Sequence, residues 1–267
     1  MKILHLKKQP HDVKIGHECP DLQPNVIEDT IFVADGEPIG FYIKNIPDKL
    51  KKYVEIANAE FLSDRVPKTV MNRGPKSKWY IEKLEKEGRL LVDQYSAIIG
   101  SCAPRPHMRM PYPRISTIHN EKSAQTFIKA MLLACRESEE LIKKIIPNVY
   151  DKQLKTIEEN VPPKFRFGKL FTSSISNFNI AANYHIDSAN LKDCVNVIIA
   201  KREFARGGNT TVPDYGAAVD SSDNSMLVYP AWRNVHGVTP IVPLSEKGYR
   251  NSLVFYPLKA FNNYWDK

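Results

Sequence analysis

The sequence predicts an α+β fold, with helices in the N-terminal half followed by a compact β region, either a sandwich or a small barrel. Apolar residues recur at helical spacing between residues 47 and 146. After the prolines at 162–163 the texture changes to short β-branched and aromatic runs separated by Gly, Asn, Asp and Pro. With 267 residues, 42% of them hydrophobic, the chain can bury a core of its own.

A hairpin and two helices are expected first. Residues 31–43 form two strand-like runs around Asp35-Gly36, a pair typical of tight hairpin turns. A helix is predicted over 47–62 because its apolar residues share one face: Leu50, Val54, Ala57 and Phe61. A shorter helix is predicted over 77–88, ending at Gly88.

The longest helix is predicted over 120–146, where Asn120 can cap the first turn and Pro147 stops the helix. Its apolar residues recur at helical spacing and suit a support helix laid against a sheet: Ala124, Phe127, Ile128, Met131, Leu132, Cys135, Leu141, Ile142 and Ile145.

The strand-like runs of the β region are 169–176, 194–200, 209–213, 216–220, 225–230 and 251–257. They are too short and closely spaced for separate units, so we expect one domain over 1–267. Residues 1–90 would supply the hairpin and helices, and residues from about 90 to 260 the core together with the long helix.

The charge distribution favours a polyanion as partner. The chain carries +8, but residues from Phe171 onward hold nine Lys and Arg against eight Asp and Glu, which leaves +7 for the first 170 residues. The proline-rich segment 104–114 places Arg105, Arg109 and Arg114 on a stretch predicted to be extended, which could follow a phosphate backbone or be an ordinary surface connection.

The sequence shows neither a secretory signal nor an apolar run long enough to span a membrane, so an intracellular protein is expected, in the cytoplasm, nucleoid or nucleus. Four widely spaced cysteines without a CxxC pair agree with a reducing compartment. Oligomeric state is left open.

His185 and Asp187 form a candidate metal site with His236. In a strand, residues two apart face the same side, so His185 and Asp187 can both point into a barrel. Two histidines and one carboxylate are typical of Fe(II) sites that leave positions open for a co-substrate and O2. The His-x-Asp pair alone is weak evidence for a metal site, because a His-x-Asp on the surface is the simpler alternative. The histidines near the start of the chain are expected to lie in a polar arm.

Arg250 and Ser252 lie on one face of the last strand. A guanidinium buried in a barrel needs a carboxylate partner, because an unpaired buried charge is costly. A dicarboxylic co-substrate would supply that partner, whereas an internal salt bridge is the alternative.

These residues, in this order, resemble the 2-oxoglutarate and Fe(II) dependent dioxygenases. The finer resemblance is to their TET/JBP branch, the ten-eleven-translocation and base-J-binding-protein oxygenases that oxidise the 5-methyl group of pyrimidines in DNA. The similar stretches are "HIDSAN", "GGNTTVPDYG", "HGVTP" and "RNSLVFY", within roughly residues 170–260, with "YPRIST" as a looser match.

The resemblance implies a double-stranded β-helix (jelly-roll) core with N-terminal supporting helices, and Fe(II), 2-oxoglutarate and O2 as the reagents. It implies these roles: His185, Asp187 and His236 as iron ligands, Arg250 and Ser252 on the distal carboxylate of 2-oxoglutarate, Arg114 as a further co-substrate contact, Asn190 on the edge of a flipped base and Tyr256 on its face.

One residue departs from the family pattern. The animal enzymes place a histidine against the cytosine two residues past the tyrosine, whereas this chain has Leu258. Thymine therefore stays open beside 5-methylcytosine as the target. The rival interpretations are a hydroxylase of a free nucleobase, nucleoside, amino acid or protein side chain, a non-catalytic DNA-binding module on the same fold, and a cupin-like storage protein or isomerase.

Overall fold

Two facing sheets and a layer of helices make up the fold in the computed structural model, which describes residues 1–71, 82, 86 and 93–265. The helices are α1 (Asp48–Leu62), α2 (Gln125–Ile145) and α3 (Pro147–Asn160). The strands are β1 (Lys2–His5), β2 (Thr30–Ala34), β3 (Glu37–Ile43), β4 (Thr69–Val70), β5 (Tyr95–Cys102), β6 (Arg114–Ile115), β7 (Ser173–Phe178), β8 (Ala182–His185), β9 (Asn196–Glu203), β10 (Ala205–Gly207), β11 (Thr210–Val212), β12 (Ala217–Val219), β13 (Ser225–Tyr229), β14 (His236–Val238), β15 (Ile241–Pro243) and β16 (Tyr249–Tyr256).

Within those ranges the larger sheet runs β1-β2-β3-β13-β9-β16-β7-β5-β4, with β6 paired to β5. The smaller sheet runs β12-β11-β14-β8, and β10 pairs with β15. Helices packed on one sheet and a second sheet facing its other side give the α+β jelly-roll arrangement that the sequence predicts.

The side chains of β16 alternate between the buried core on one face of the larger sheet and a cavity on the other face. Leu253 and Phe255 are fully buried in the main core, together with apolar residues of α1 and α2. Arg250, Ser252 and Tyr256 line a cavity instead. Because side chains alternate between the two faces of a strand, one strand supplies both the core and the cavity wall.

The N-terminal hairpin and the helix over 47–62 are confirmed. Asp35 and Gly36 both have positive φ (54° and 84°), as a two-residue hairpin turn requires. Strand β3 then pairs with β13, so the hairpin continues the larger sheet. In α1 the four apolar residues named above are buried at 0–1% exposure.

The long helix begins later than expected. Residues 117–120 and 122–124 form two 3-10 turns, and α2 starts at Gln125 without a side-chain cap, so the expected start at Asn120 is wrong. The reason is tertiary: Ser116 donates to the Ile98 carbonyl and the Gly100 amide donates to His119, which ties this segment to β5.

Two features of α2 and of the residues that follow it were not anticipated. Leu132 is 39% exposed rather than part of the buried face. Pro147 follows the end of α2 as expected, but it also occupies the first turn of α3, a helix the sequence analysis did not predict. Proline suits that position because the first turn leaves its amide positions unpaired.

The segment 104–114 is folded back rather than extended. The Arg105 amide donates to the Met110 carbonyl (2.6 Å) and the Met110 amide donates back (3.1 Å), which closes a loop around a 3-10 turn at Pro106–Met108. The helix expected over 77–88 lies outside the described residues, apart from 82 and 86. Within the described ranges no helix has the length and apolarity needed to cross a bilayer.

Candidate metal centre and active-site cavity

The two candidate histidine ligands are cross-strand neighbours in the smaller sheet. Strands β8 and β14 are antiparallel, and His236 lies opposite His185, with ring centroids 4.3 Å apart. Asp187 follows two residues after the end of β8. Register therefore brings together residues that are far apart in the sequence.

Each histidine is held by a hydrogen bond on the ring atom away from the aspartate. His185 Nδ1 lies 2.7 Å from the Asn183 carbonyl, and His236 Nδ1 lies 3.0 Å from the Asn234 carbonyl. A carbonyl only accepts, so Nδ1 carries the proton and Nε2 is left as the ligand atom.

The three ligand atoms converge. Asp187 Oδ1 lies 3.5 Å from His185 Nε2 and 4.0 Å from His236 Nε2, and the ligand atoms all lie within 4.8 Å of one another. Two imidazole nitrogens and one carboxylate oxygen on one side of a cavity suit an octahedral ion such as Fe(II), with positions open toward the cavity. The donor set and its hydrogen-bonded supports fit that metal.

Two asparagines orient the carboxylate of Asp187. Its Oδ2 accepts from Asn196 Nδ2 at 3.0 Å and from Asn190 Nδ2 at 3.3 Å, and Asn190 Nδ2 also reaches Asn196 Oδ1 at 2.9 Å. Oδ2 is thereby occupied and Oδ1 faces the histidines. Asn190, which the resemblance assigns to the base, thus also braces a candidate metal ligand.

The two histidines and Asp187 shift one another's pKa values. The hydrogen bond to Asp187 raises the pKa of His185, against the effect of burial. Burial alone would raise the pKa of Asp187, but the hydrogen bond from His185 and the charges of both histidines hold it below its ordinary value. Burial, followed by the nearby His185 charge, lowers the pKa of His236, which favours the neutral ligand form.

A cavity of about 410 Å³ lies between the two sheets at this centre. Its wall includes all three ligands as well as Asn190, Arg250, Ser252, Tyr256 and Leu258. The structure therefore brings the residues predicted from the sequence to one place, with the exception of Arg114.

Arg250 is buried without a carboxylate. It is 2% exposed, and its Nε donates to Ser221 Oγ at 2.8 Å. Among the ion pairs of the described residues none involves Arg250, and Asp220, the residue before Ser221, pairs with Arg202 at 3.3 Å. Burial, followed by the charge of Arg202, lowers the pKa of Arg250 to about 10. A buried guanidinium without a carboxylate partner among the described residues is costly, and this side chain lines the cavity.

Gly208 makes room for Arg250. A Cβ at this position would lie 2.3 Å from Arg250 Cδ, and its φ of +73° is in the region that favours glycine. The Gly-Gly-Asn stretch noted in the sequence therefore has a packing role beside the arginine.

The remaining predicted residues occupy different places. Ser252 Oγ lies 3.5 Å from the Asn177 carbonyl, and Tyr256 is a half-buried member of the cavity wall, where desolvation raises the pKa of its phenol. Leu258 forms an isolated bridge with Asn190. Arg114 lies on β6 opposite Cys102 and outside the cavity lining, and its buried Nη1 has no hydrogen-bond partner among the described residues.

Sequence reasoning missed two residues of this site. Tyr229 lines the cavity and packs edge-on against His236 at 5.3 Å between centroids. Asn196 holds the Asp187 carboxylate. Asn196 could have been suspected as a polar residue inside an otherwise apolar strand run, whereas Tyr229 reads as one more aromatic strand residue.

Comparison with known proteins supports the fold. The chain superposes on NgTET1, solved in complex with 5mC DNA, with a TM-score of 0.58 and 15% identity, over 94% of this chain and 84% of that chain. The resemblance inferred from the sequence is thus confirmed at the level of the fold, which is that of the 2-oxoglutarate and Fe(II) oxygenases.

Two further solved structures align over most of the chain. A full-length Neurospora crassa protein in complex with alpha-KG and thymine has a TM-score of 0.43 and 14% identity, over 81% of this chain and 75% of that chain. A 2OG-Fe(II) oxygenase family oxidoreductase from Burkholderia pseudomallei has a TM-score of 0.41 and 14% identity, over 78% of this chain and 82% of that chain. No family model matches the sequence, and a search of curated proteins finds no match.

Proposed function

We propose that the protein is an Fe(II) and 2-oxoglutarate dependent dioxygenase that hydroxylates the 5-methyl group of a pyrimidine in DNA. The observation that carries the proposal is one cavity wall with two kinds of group. One is the convergent set His185, Asp187 and His236, and the other is Arg250, which is buried with no carboxylate partner in the described part of the chain. A metal and a dicarboxylate together account for both groups.

Fe(II) and 2-oxoglutarate supply the oxidising chemistry when bound: one atom of O2 enters the methyl C–H bond, and the other enters succinate as CO2 is released. The protein's own part is to bind and orient. Arg250 would hold the distal carboxylate of the co-substrate with a two-pronged guanidinium, and Ser252 would add a hydrogen bond. Arg114 remains a proposed co-substrate contact that would need its side chain to reach the cavity.

The substrate assignment is supported by Asn190, Tyr256 and Leu258 in the same wall. Asn190 Nδ2 is already engaged, whereas its Oδ1 accepts none of the hydrogen bonds within the described residues. Oδ1 could accept from a base edge, either the amine of a cytosine or the ring N–H of a thymine. Tyr256 would stack on the base. The apolar Leu258 leaves both bases open.

A polymeric substrate is supported by a second open cavity of about 600 Å³, whose wall shares Ile186, Ser188 and Asn190 with the first. The wall of the second cavity also carries Lys192, Lys259 and Trp232, with one carboxylate, Asp193, beside them. Lysines and an indole ring are suited to a neighbouring phosphate and base. Together with the basic first 170 residues, this space favours DNA over a free nucleobase, and a DNA substrate agrees with an intracellular location.

The test is a substrate screen with Fe(II), 2-oxoglutarate and O2. Oligonucleotides containing 5-methylcytosine, oligonucleotides containing only thymine, and the corresponding nucleosides are incubated, digested and analysed by mass spectrometry for the gain of one oxygen atom. Succinate is measured in parallel, with Asp187→Ala as the control. Oxidised pyrimidine in oligonucleotides is expected.

The outcomes separate the parts of the proposal. Succinate release without oxidised pyrimidine would overturn the proposed substrate and leave the proposed metal and co-substrate in place. Oxidation of nucleosides but not oligonucleotides would select the free-nucleoside alternative. No succinate under any condition, with DNA still bound, would indicate a non-catalytic binding module.

A further inference from the structure

The N-terminal strap, which we define as residues 9–22, lies against the outer side of the smaller sheet. The Gly16 amide donates to the Tyr184 carbonyl at 2.8 Å, and the Tyr184 amide donates to the His17 carbonyl at 2.9 Å. Further along, Cys19 is buried, with Sγ 3.2 Å from Thr211 Oγ1. The strap therefore adds to β8 and crosses toward β11, on the sheet that carries both histidine ligands.

One link joins the strap to His185. The carbonyl of Asn183 accepts from His185 Nδ1 at 2.7 Å, and the side chain of the same Asn183 donates to the Gly16 carbonyl of the strap at 3.1 Å. A single residue thus holds the ligand ring with its backbone and the strap with its amide.

A second link joins the strap to His236 in a parallel way. The carbonyl of Asn234 accepts from His236 Nδ1 at 3.0 Å. Its side-chain amide donates to Asp214 Oδ2, and Asp214 Oδ1 lies 2.7 Å from Nε2 of His11 in the strap. Both candidate ligand histidines are therefore hydrogen-bonded to an asparagine two residues earlier, and the strap holds Asn183 directly and Asn234 through Asp214.

We propose that the strap positions the metal ligands: Asn183 and Asn234 are positioning residues whose side chains, anchored on the strap, fix the carbonyls that orient His185 and His236. A histidine ring turns about two side-chain bonds, and the Nδ1 hydrogen bond is what stops that rotation. The bond is only as rigid as the peptide that carries the carbonyl. Anchoring that peptide through its own side chain removes one source of misalignment.

The chain offers a matched control for this inference. The strap is also fixed by the ion pair between Asp21 and Arg206 and by a bond from Asn209 to the Leu22 carbonyl. These anchors touch neither Asn183 nor Asn234. A substitution at Asp21 therefore tests the general stabilising effect of the strap. Substitutions at Asn183 and His11 test the two links between the strap and the candidate ligands.

The experiment measures Mn(II) binding to the apo full-length chain by electron paramagnetic resonance, with the apo Tm recorded for each variant. The variants are Asn183→Ala, Asn234→Ala, His11→Ala and, as control, Asp21→Asn. We expect the Mn(II) Kd to rise about tenfold or more in the two asparagine variants, by analogy with groups that support metal-bound histidines. His11→Ala should raise it less, because that residue acts through Asp214, and Asp21→Asn should leave it unchanged.

The inference rests on the metal site of the proposed function, and the results separate the two. If the wild-type chain binds no Mn(II), the metal site itself is wrong. If it binds and the two asparagine variants keep its Kd while losing Tm, the strap is only a structural brace. An equal rise of Kd in Asp21→Asn would likewise overturn the inference, because the effect would then be general loosening.

Discussion

Replacing Arg250 by methionine should stabilise the apo protein and greatly weaken binding of 2-oxoglutarate. Burial and the nearby Arg202 lower the pKa of Arg250 to about 10. A shift of that size costs the charged form on the order of 3 kcal/mol at neutral pH. The variant also loses the hydrogen bond to Ser221, which reduces the gain in stability by about 1 kcal/mol. The expected gain in the free energy of unfolding is thus about 2 kcal/mol.

The effect on binding has the opposite sign. Truncating one partner of a buried charge pair costs about 2–5 kcal/mol. That corresponds to a rise in the Kd for 2-oxoglutarate of roughly thirtyfold to several thousandfold. Arg250→Lys keeps a charge but loses the two-pronged geometry, so it should fall between the wild type and Arg250→Met.

The measurements are urea unfolding of the apo protein and calorimetric titration of 2-oxoglutarate in the presence of Mn(II). Arg136→Met, at an exposed position on α2, is the matched control and should change neither quantity. The stabilising effect should be present at pH 7 and shrink as the pH rises above about 10, where Arg250 loses its charge in the folded state. An unchanged Kd in Arg250→Met would place the co-substrate elsewhere, and a large loss of stability would refute the view that this guanidinium is unpaired.

The remaining predictions concern the metal ligands, the substrate and the fold. His185→Ala and Asp187→Ala should abolish succinate formation while the circular dichroism spectrum is retained, and full activity in both would rule out this metal site. Leu258→His should shift oxidation toward 5-methylcytosine relative to thymine in competing oligonucleotides, and an unchanged product ratio would remove Leu258 from base selection. Glu139 Oε1 accepts from two backbone amides of residues 169–170, so Glu139→Ala should cost about 1–3 kcal/mol of unfolding free energy in urea titrations. Burial raises the pKa of Glu139. The stability of the wild type relative to Glu139→Gln should therefore fall as the pH rises through that raised pKa. A pH-independent difference between the two would contradict this.

Local patterns were sufficient for much of the fold. The positions of α1 and the hairpin were predicted because each depends on residues close in sequence: an apolar stripe in one case and Asp35-Gly36 in the other. The start of α2 was predicted wrongly because contacts with β5 hold residues 117–124 in 3-10 turns. Helix α3 was missed because Pro147 was interpreted only as a stop signal.

The same contrast between local patterns and tertiary contacts applies to the candidate site. The alternation of a strand put Arg250 and Ser252 on one face, and the sequence alone made that prediction. Tyr256 was assigned to the site only by the resemblance, and the structure places it in the same cavity wall. The bracing of Asp187 by Asn190 and Asn196 depends on where β9 lies relative to the loop after β8, and no sequence spacing encodes that placement.

The sequence by itself determined the candidate ligand set, the face on which Arg250 lies and the resemblance that suggests the chemistry. Only the tertiary structure decided that His185 and His236 are cross-strand neighbours and that Arg250 has no carboxylate partner among the described residues. It also decided that the N-terminal strap is bonded directly to Asn183 and, through Asp214, to Asn234. The physical reason is that residue periodicity fixes which way a side chain points within one element. The register between distant strands and the pairing of buried charges depend on long-range packing, which the sequence specifies only through the complete fold.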